Sequence, residues 1–389
     1  MKIRYVLNNA YGAGGTVRTV VNQANALCAH HDVEIASVYR TRQVPVFTMD
    51  ERVRLVPLTD LRDDGSRRSD PPGTNSRFWR KTRRFRNRLP HRYDYRYRRW
   101  DPVVDAAIVR YFRAERDGVL ITTRPALNLL SAWFAPRRLV RIAQDHMNFN
   151  AYAPKMQHAI RKAYPRLDGV TVLTQKDLAS YREALSGSKV RLECIPNGIP
   201  PRESPSSSPE AKRVIAAGRF VRQKGFDMLV EAWAGVHQRH PDWRLALFGN
   251  GPLRDAVAAR VAELGLSGSI AMPGITKKLD EELSASSFYV LSSRSEGLPM
   301  VLLEAMTTGL PAVSFDCPTG PADIIEDGVN GLLVPPADVA ALTSAVCELI
   351  EDPERLRAMG AAAVKSSERF TMPAIAETWE KFLQELAKR

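Results

Sequence analysis

Through the first half of the chain, short runs of β-branched and apolar residues alternate with longer segments whose apolar positions return every three or four residues. The clearest unit comes first. Residues 3–7 read as a buried strand, Gly12-Ala13-Gly14-Gly15 as a turn, and residues 16–29 as a helix with Val17, Val20, Val21, Ala24, Leu27 and Cys28 on one stripe. Residues 33–38 predict the next strand. Runs at 119–122, 139–143, 170–173 and 190–195 predict further strands, with helices over 155–164 and 174–185. Alternation of this kind is that of a parallel sheet wrapped by helices.

The pattern breaks at 200–209, where the prolines lack donors and the serines favour turns, which marks a linker. It then restarts. Strands are predicted at 214–217, 245–248, 270–272, 288–291 and 312–315, and helices from about 226, from about 252 and over 299–308. Two α/β sheets in tandem follow. Residues 373–388 close the chain as a helix with Ile375, Trp379, Phe382, Leu383 and Leu386 on one face, an apolar stripe that needs a cover.

Composition narrows the class. The 389 residues are 44% hydrophobic and 25% charged, which excludes a disordered or fibrous chain. Cys28, Cys194, Cys317 and Cys347 are scattered without metal-ligand spacing, so neither a disulfide scaffold nor a zinc site is expected and a reducing compartment fits. No apolar run is long enough for a membrane span, and no signal peptide is expected. The net charge of +13 is concentrated, because residues 62–99 carry 14 Lys/Arg against 4 Asp.

Four places carry candidate chemistry. In Ser293-Arg294-Ser295-Glu296-Gly297-Leu298-Pro299-Met300-Val301, a loop with Glu296 runs into a helix that Pro299 opens. The free N–H groups near Leu298, Pro299, Met300 and Val301 make a phosphate site, and Glu304 stands eight residues after Glu296, so the two carboxylates can take ligand hydroxyls on either side of it. Read alone, Glu296 fits a solvated loop residue and Glu304 a helix-surface one. Gly218-Arg219 and Lys224-Gly225 follow the 214–217 strand, where Arg219 and Lys224 can bracket a diphosphate; a basic loop is otherwise a solvated surface. Gly14 and Gly15 serve either a tight turn or the close approach of a phosphate or sugar. His146, at the carboxyl end of the 139–143 strand, is either structural or placed to meet a sugar hydroxyl or a proton. No Asp-x-Asp occurs, which argues against a paired-aspartate cation; no metal or other cofactor is expected.

In this order the motifs resemble those of the family 4 retaining glycosyltransferases of the GT-B fold. Glu296 and Glu304 match its E-x7-E, Gly218-Arg219 with Lys224-Gly225 its G-R-x(n)-K-G, and Gly249-Asn250-Gly251-Pro252 its G-x-G-P turn. Pro196-Asn197-Gly198-Ile199 and the stretch 327–335 also match. The resemblance implies an α/β fold of two Rossmann-like domains facing across a cleft. Residues 1–198 would form an acceptor-binding domain with a basic insertion at about 62–100, residues 199–370 a nucleotide-sugar domain, and residues 371–389 a helix crossing back to the first domain. It implies that Arg219 and Lys224 bind the diphosphate, Glu304 the ribose, Glu296 the sugar hydroxyls, and Gly14, Gly15 and His146 the donor side of the first domain. The implied enzyme moves a sugar, UDP-linked for preference, to an acceptor hydroxyl with retention.

Residues 77–100 interleave arginines with Phe78, Trp79, Phe85, Tyr93, Tyr95, Tyr97 and Trp100. Arg80, Lys81, Arg83 and Arg84 suit an anionic membrane surface or a lipid-linked acceptor, or else a teichoic-type polymer; a solvated insertion is the plain alternative, and nucleic acid is not expected. The expectation is a cytoplasmic enzyme, peripheral on the inner membrane face, that builds an envelope glycan. A transferase for a soluble small molecule and a non-catalytic polyanion-binding protein are the alternatives.

Overall fold

The computed structural model describes residues 1–62, 90–94, 102–201 and 207–388. Within these residues the chain divides into two compact units, Met1–Gly198 with Met372–Arg389, and Ile199–Thr371. Of the basic segment singled out above, residues 63–89, with Arg80, Lys81, Arg83 and Arg84, and 95–100 lie outside the described residues, as do residues 202–206 of the linker.

The first unit carries seven parallel strands, β1 (Lys2–Leu7), β2 (Asp32–Arg40), β3 (Arg54–Asp60), β4 (Val119–Thr122), β5 (Val140–Gln144), β6 (Gly169–Val172) and β7 (Arg191–Cys194). They lie in the order β3-β2-β1-β4-β5-β6-β7. The second unit has β8 (Arg213–Ala217), β9 (Arg244–Phe248), β10 (Ile270–Gly274), β11 (Phe288–Leu291), β12 (Ala312–Phe315) and β13 (Gly331–Val334), in the order β10-β9-β8-β11-β12-β13. In both, the order of winding reverses beside the unit's first strand, between β1 and β4 and between β8 and β11. Such a reversal splays the connections apart at the carboxyl ends of the strands and opens a crevice there.

The apolar stripe of the last helix, Met372–Ala387, is covered within the first unit. Ile375, Trp379, Phe382, Leu383 and Leu386 enter the same core as Val17, Val20, Val21, Ala24 and Leu27 of helix Gly15–Leu27 and Ile3, Tyr5 and Leu7 of β1. Trp379 and Leu383 are fully buried. Gly169 lets β6 accept this helix, since a Cβ there would meet Phe382 at 2.8 Å and Leu386 at 2.9 Å.

Three kinds of element escape the periodicity reading. β3 contains Pro57, which cannot donate to a ladder, and is tolerated because β3 is an edge strand paired only with β2. Helix Pro125–Phe134 buries eight consecutive residues from Pro125 to Ala132, so no polar stripe alternates with an apolar one. Helices Pro102–Ala114, Val339–Glu351 and Pro353–Ser367 were not among the expected elements. No helix among the described residues is long and apolar enough to cross a membrane, and all four cysteines are free thiols.

Candidate active site

In the second unit two loops meet at the crevice between β8 and β11. The loop after β8 leaves through Gly218, whose N–H bonds Phe248 O at 2.9 Å, tightens into a 3-10 turn at Arg222–Lys224, and ends at Gly225 with φ +65°. Any Cβ at Gly225 would lie 2.0 Å from Ser292 O, so only glycine allows this loop to press against the end of β11. The loops are then stitched together. Ser292 Oγ donates to Lys224 O at 3.0 Å, the Arg294 amide to Gln223 O at 2.8 Å, and Gln223 Nε2 to Ser295 O at 2.8 Å. The Arg294 guanidinium grips Asp227 with bonds of 2.8 and 2.7 Å and holds that carboxyl below its ordinary range.

This frame places Lys224 Nζ 2.6 Å from Glu296 Oε1, and Ser293 Oγ donates to the same oxygen at 2.6 Å. The Glu296 side chain is only 7% exposed, so the ammonium compensates a charge that burial would otherwise penalise. Thr319 donates its hydroxyl to Glu296 O. Gly320, at φ +97°, lets the loop after β12 close on this segment, because a Cβ there would stand 2.6 Å from Gly297 O. Helix Met300–Thr307 follows Pro299, which occupies the N-cap with no side-chain cap. Its amides begin to turn inward only at Leu302, whose N–H bonds Pro299 O at 3.1 Å, so the Met300 and Val301 amides precede the first internal bond.

Glu304 corrects one expectation: it is not a helix-surface residue but 8% exposed. Its neighbours Leu302, Leu303, Ala305, Met306 and Thr307 are buried as well, so this turn of the short helix is enclosed. Glu296 and Glu304 both add to the rise that burial gives the Tyr289 phenol, whose hydroxyl donates to Ala217 O at 3.1 Å. The structure therefore brings Gly218, Lys224, Glu296, Glu304 and the start of helix Met300–Thr307 to one end of one sheet. Arg219 is exposed at the same loop and makes no ion pair with a described residue.

The corresponding end of the first unit holds the other candidates. Gly14 caps helix Gly15–Leu27 with φ −108°, an ordinary extended conformation. A Cβ at Gly14 would meet only Val17 Cγ2 at 3.9 Å, and one at Gly15 would meet no atom within 4 Å. The backbone does not require either glycine, and the space they leave opens outward. A cavity of about 390 Å³ lies beside them, walled by Asn8, Asn9, Thr16, Arg124, His146 and Tyr152 among others. The His146 Nε2 is buried without a hydrogen-bond partner, and burial lowers the imidazole to about 4, so it is neutral at pH 7.

Next to it in sequence, Asp145 is fully buried and accepts from Tyr164 at 2.9 Å, Tyr152 at 3.3 Å, Asn128 Nδ2 at 3.2 Å and the Tyr181 hydroxyl. Burial raises its carboxyl to about 6 against the pull of the three tyrosine hydroxyls. Ser293 stands in a stretch singled out from the sequence and Asp145 precedes His146, while Thr319 lies outside those stretches; nothing marked any of the three individually. Their role depends on burial and on partners distant in the chain; only the position of Ser293, three residues before Glu296 at a strand's carboxyl end, was a readable signal.

The chain matches the family model for glycosyl transferases group 1 over residues 201–366. An amylovoran biosynthesis glycosyltransferase of Erwinia amylovora is 30% identical over 288 residues, covering 71% of this chain and 80% of that protein. The chain belongs to the group 1 glycosyltransferases. An exopolysaccharide phosphotransferase of Streptomyces coelicolor is 36% identical over 394 residues and matches all of this glycosyltransferase chain, which spans 41% of that longer protein. Staphylococcus aureus TarM, solved with UDP and α-GlcNAc-glycerol, superposes with a TM-score of 0.76 at 16% identity, covering 98% of this chain and 99% of TarM. Such a likeness shows the fold, and the two Rossmann-type units of this glycosyltransferase are those of GT-B.

Proposed function

We propose that this glycosyltransferase is a family 4 retaining enzyme that moves a sugar from a nucleoside diphosphate, UDP for preference, to a hydroxyl of a cell-envelope glycan, a teichoic-type polymer or a lipid-linked acceptor. The observation that carries the reading is the convergence of Lys224, Glu296, Glu304 and an uncapped helix N-terminus at the switch point of the second sheet. A diphosphate needs cations and aligned N–H groups, and a sugar and a ribose need hydroxyl acceptors; this loop pair supplies all of them. The names of the Erwinia and Streptomyces relatives, and the UDP bound to TarM, support the substrate class and the nucleotide.

In the proposed reaction the bond from the anomeric carbon to the diphosphate oxygen breaks, and the acceptor oxygen bonds to that carbon on the same face. The acceptor's proton passes to the departing phosphate oxygen. Arg219, Lys224 and the Met300 and Val301 amides stabilise the charge that grows there, and no metal or other cofactor is called for. Glu296 accepts from the donor sugar's hydroxyls and Glu304 from the ribose. Arg80, Lys81, Arg83 and Arg84 hold the enzyme, as a cytoplasmic peripheral protein, on the anionic inner face of the membrane or on its acceptor.

The name of the Streptomyces relative favours a second reading, transfer of a phosphosugar. Product analysis separates the two. Incubated with a panel of UDP-, GDP- and ADP-sugars in EDTA, the enzyme is expected to release a nucleoside diphosphate slowly by donor hydrolysis; release of the nucleoside monophosphate would establish phosphosugar transfer instead.

A further inference from the structure

We infer that Ser293 is a positioning residue for the donor sugar: it fixes the Glu296 carboxylate so that one oxygen is held by the protein and the other is left for the ligand. The inference rests on the reading of Glu296 as an acceptor of donor-sugar hydroxyls.

A carboxylate offers about four acceptor sites, two on each oxygen. Here both protein donors, Lys224 Nζ and Ser293 Oγ, fall on Oε1, each at 2.6 Å. Among the described residues no donor reaches Oε2. An ammonium alone does not define a carboxylate's rotation, because it is a point charge at the end of a flexible four-carbon stem. Ser293 is different. It is 1% exposed, sits on the segment that leaves β11, and donates across three residues to the group it orients. A second tether acts on the backbone: Thr319, 3% exposed, donates to Glu296 O from the loop after β12, and Gly320 allows that loop to approach. Side chain and main chain of Glu296 are thus pinned from two different loops.

The consequence is dynamic. When a diphosphate arrives, its charge competes for Lys224, and the ammonium is shared between phosphate and carboxylate. Ser293 is a neutral donor that the phosphate does not compete for in the same way. It keeps Oε1 satisfied and Oε2 aimed at the sugar while Lys224 turns to the diphosphate. Loss of Ser293 therefore affects a ligand that carries a sugar and spares one that ends at the diphosphate.

Ser293→Ala, Ser293→Thr and Thr319→Ser are compared with the wild type by calorimetric titration with UDP, UDP-glucose, UDP-N-acetylglucosamine, GDP and GDP-mannose, and by donor hydrolysis. Ser293→Ala is expected to bind the bare nucleoside diphosphate within twofold of the wild type, and to lose about tenfold in affinity for the matching sugar donor or in its hydrolysis. Ser293→Thr, which keeps a hydroxyl at 293, should retain most of the wild-type affinity for the sugar donor, and Thr319→Ser, which keeps the hydroxyl that bonds Glu296 O, should bind it close to wild type. Equal behaviour of Ser293→Ala and wild type toward the sugar donor overturns the inference while leaving the nucleotide-sugar reading standing. So does a parallel loss for bare diphosphate and sugar donor, which would mark a general structural role. A wild type that binds none of the five probes overturns the functional reading and this inference together.

Discussion

Two adjacent residues in the first unit respond to acid in opposite directions. Burial holds the His146 imidazole at about 4 in the folded chain against 6.5 in the open, so between those values the unfolded chain binds a proton that the folded one refuses, and stability falls as pH drops. The Asp145 carboxyl is raised to about 6 from 3.8, so its contribution is present below about 4 and is lost as pH rises through 6. The two nearly oppose each other across the same window. His146→Gln removes the first effect and leaves the second, and its Tm is expected to fall less than that of the wild type between pH 6.5 and 4.5. Identical pH profiles of Tm would mean that His146 is not held neutral by burial. Residue identity also separates two kinds of glycine. Gly15→Ala meets no atom and suits the first turn of a helix, so it should change stability by less than about 0.5 kcal/mol. If a phosphate or sugar of the donor approaches there, the same substitution weakens donor hydrolysis; unchanged hydrolysis would remove Gly15 from the site.

At the scale of elements, the loop after β8 and the loop after β11 act as one body because Gly225 permits their contact. Gly225→Ala combines a positive φ with a Cβ placed 2.0 Å from Ser292 O, and should destabilise the second unit by at least about 1 kcal/mol, seen as a lowered midpoint in urea, and also lower nucleotide affinity. A variant that keeps its stability and loses only affinity would show that the loops are not tied in this way. Most strands of the two sheets were readable in the sequence as short apolar runs, as in 119–122 and 288–291, where expected and observed spans coincide; β3 and β13 were not among the expected strands. What was not readable had a physical reason. Helix Pro125–Phe134 is buried all round and loses its period, and β3 carries a proline that only an edge position allows. In the site, the Pro299 helix start was legible from residue type, whereas residue type and spacing left Glu296 and Lys224 between a solvated and a ligand-binding reading and only the motif resemblance singled them out. The burial of Glu304 and the hydroxyl tethers from Ser293 and Thr319 were not legible, because they depend on which loops the strand order brings together.

At the scale of the molecule, each Rossmann-type unit has its own sheet and core, and the chain's last helix belongs to the first unit although it is reached only after the second. Met372, Ile375, Trp379, Phe382, Leu383 and Leu386 are all buried there. At roughly 1.5–3 kcal/mol for each large apolar side chain, their loss rivals the roughly 5–15 kcal/mol that stabilises a whole domain. Truncation after Thr371 is therefore expected to abolish the cooperative unfolding of the first unit, followed by near-ultraviolet circular dichroism, while the second unit still unfolds as a separate transition. Two intact transitions in the truncated chain would show that the helix is dispensable. What makes the molecule an enzyme in this reading is the second unit's switch point as a nucleoside-diphosphate site. Its most direct test is calorimetric titration of UDP and GDP in EDTA against the wild type, Lys224→Ala and Glu304→Ala. The account expects metal-free binding of one nucleotide, weakened about tenfold or more in each variant, as loss of a hydrogen bond to a charged group requires; a wild type that binds neither nucleotide, or variants that bind as well as it does, would contradict it.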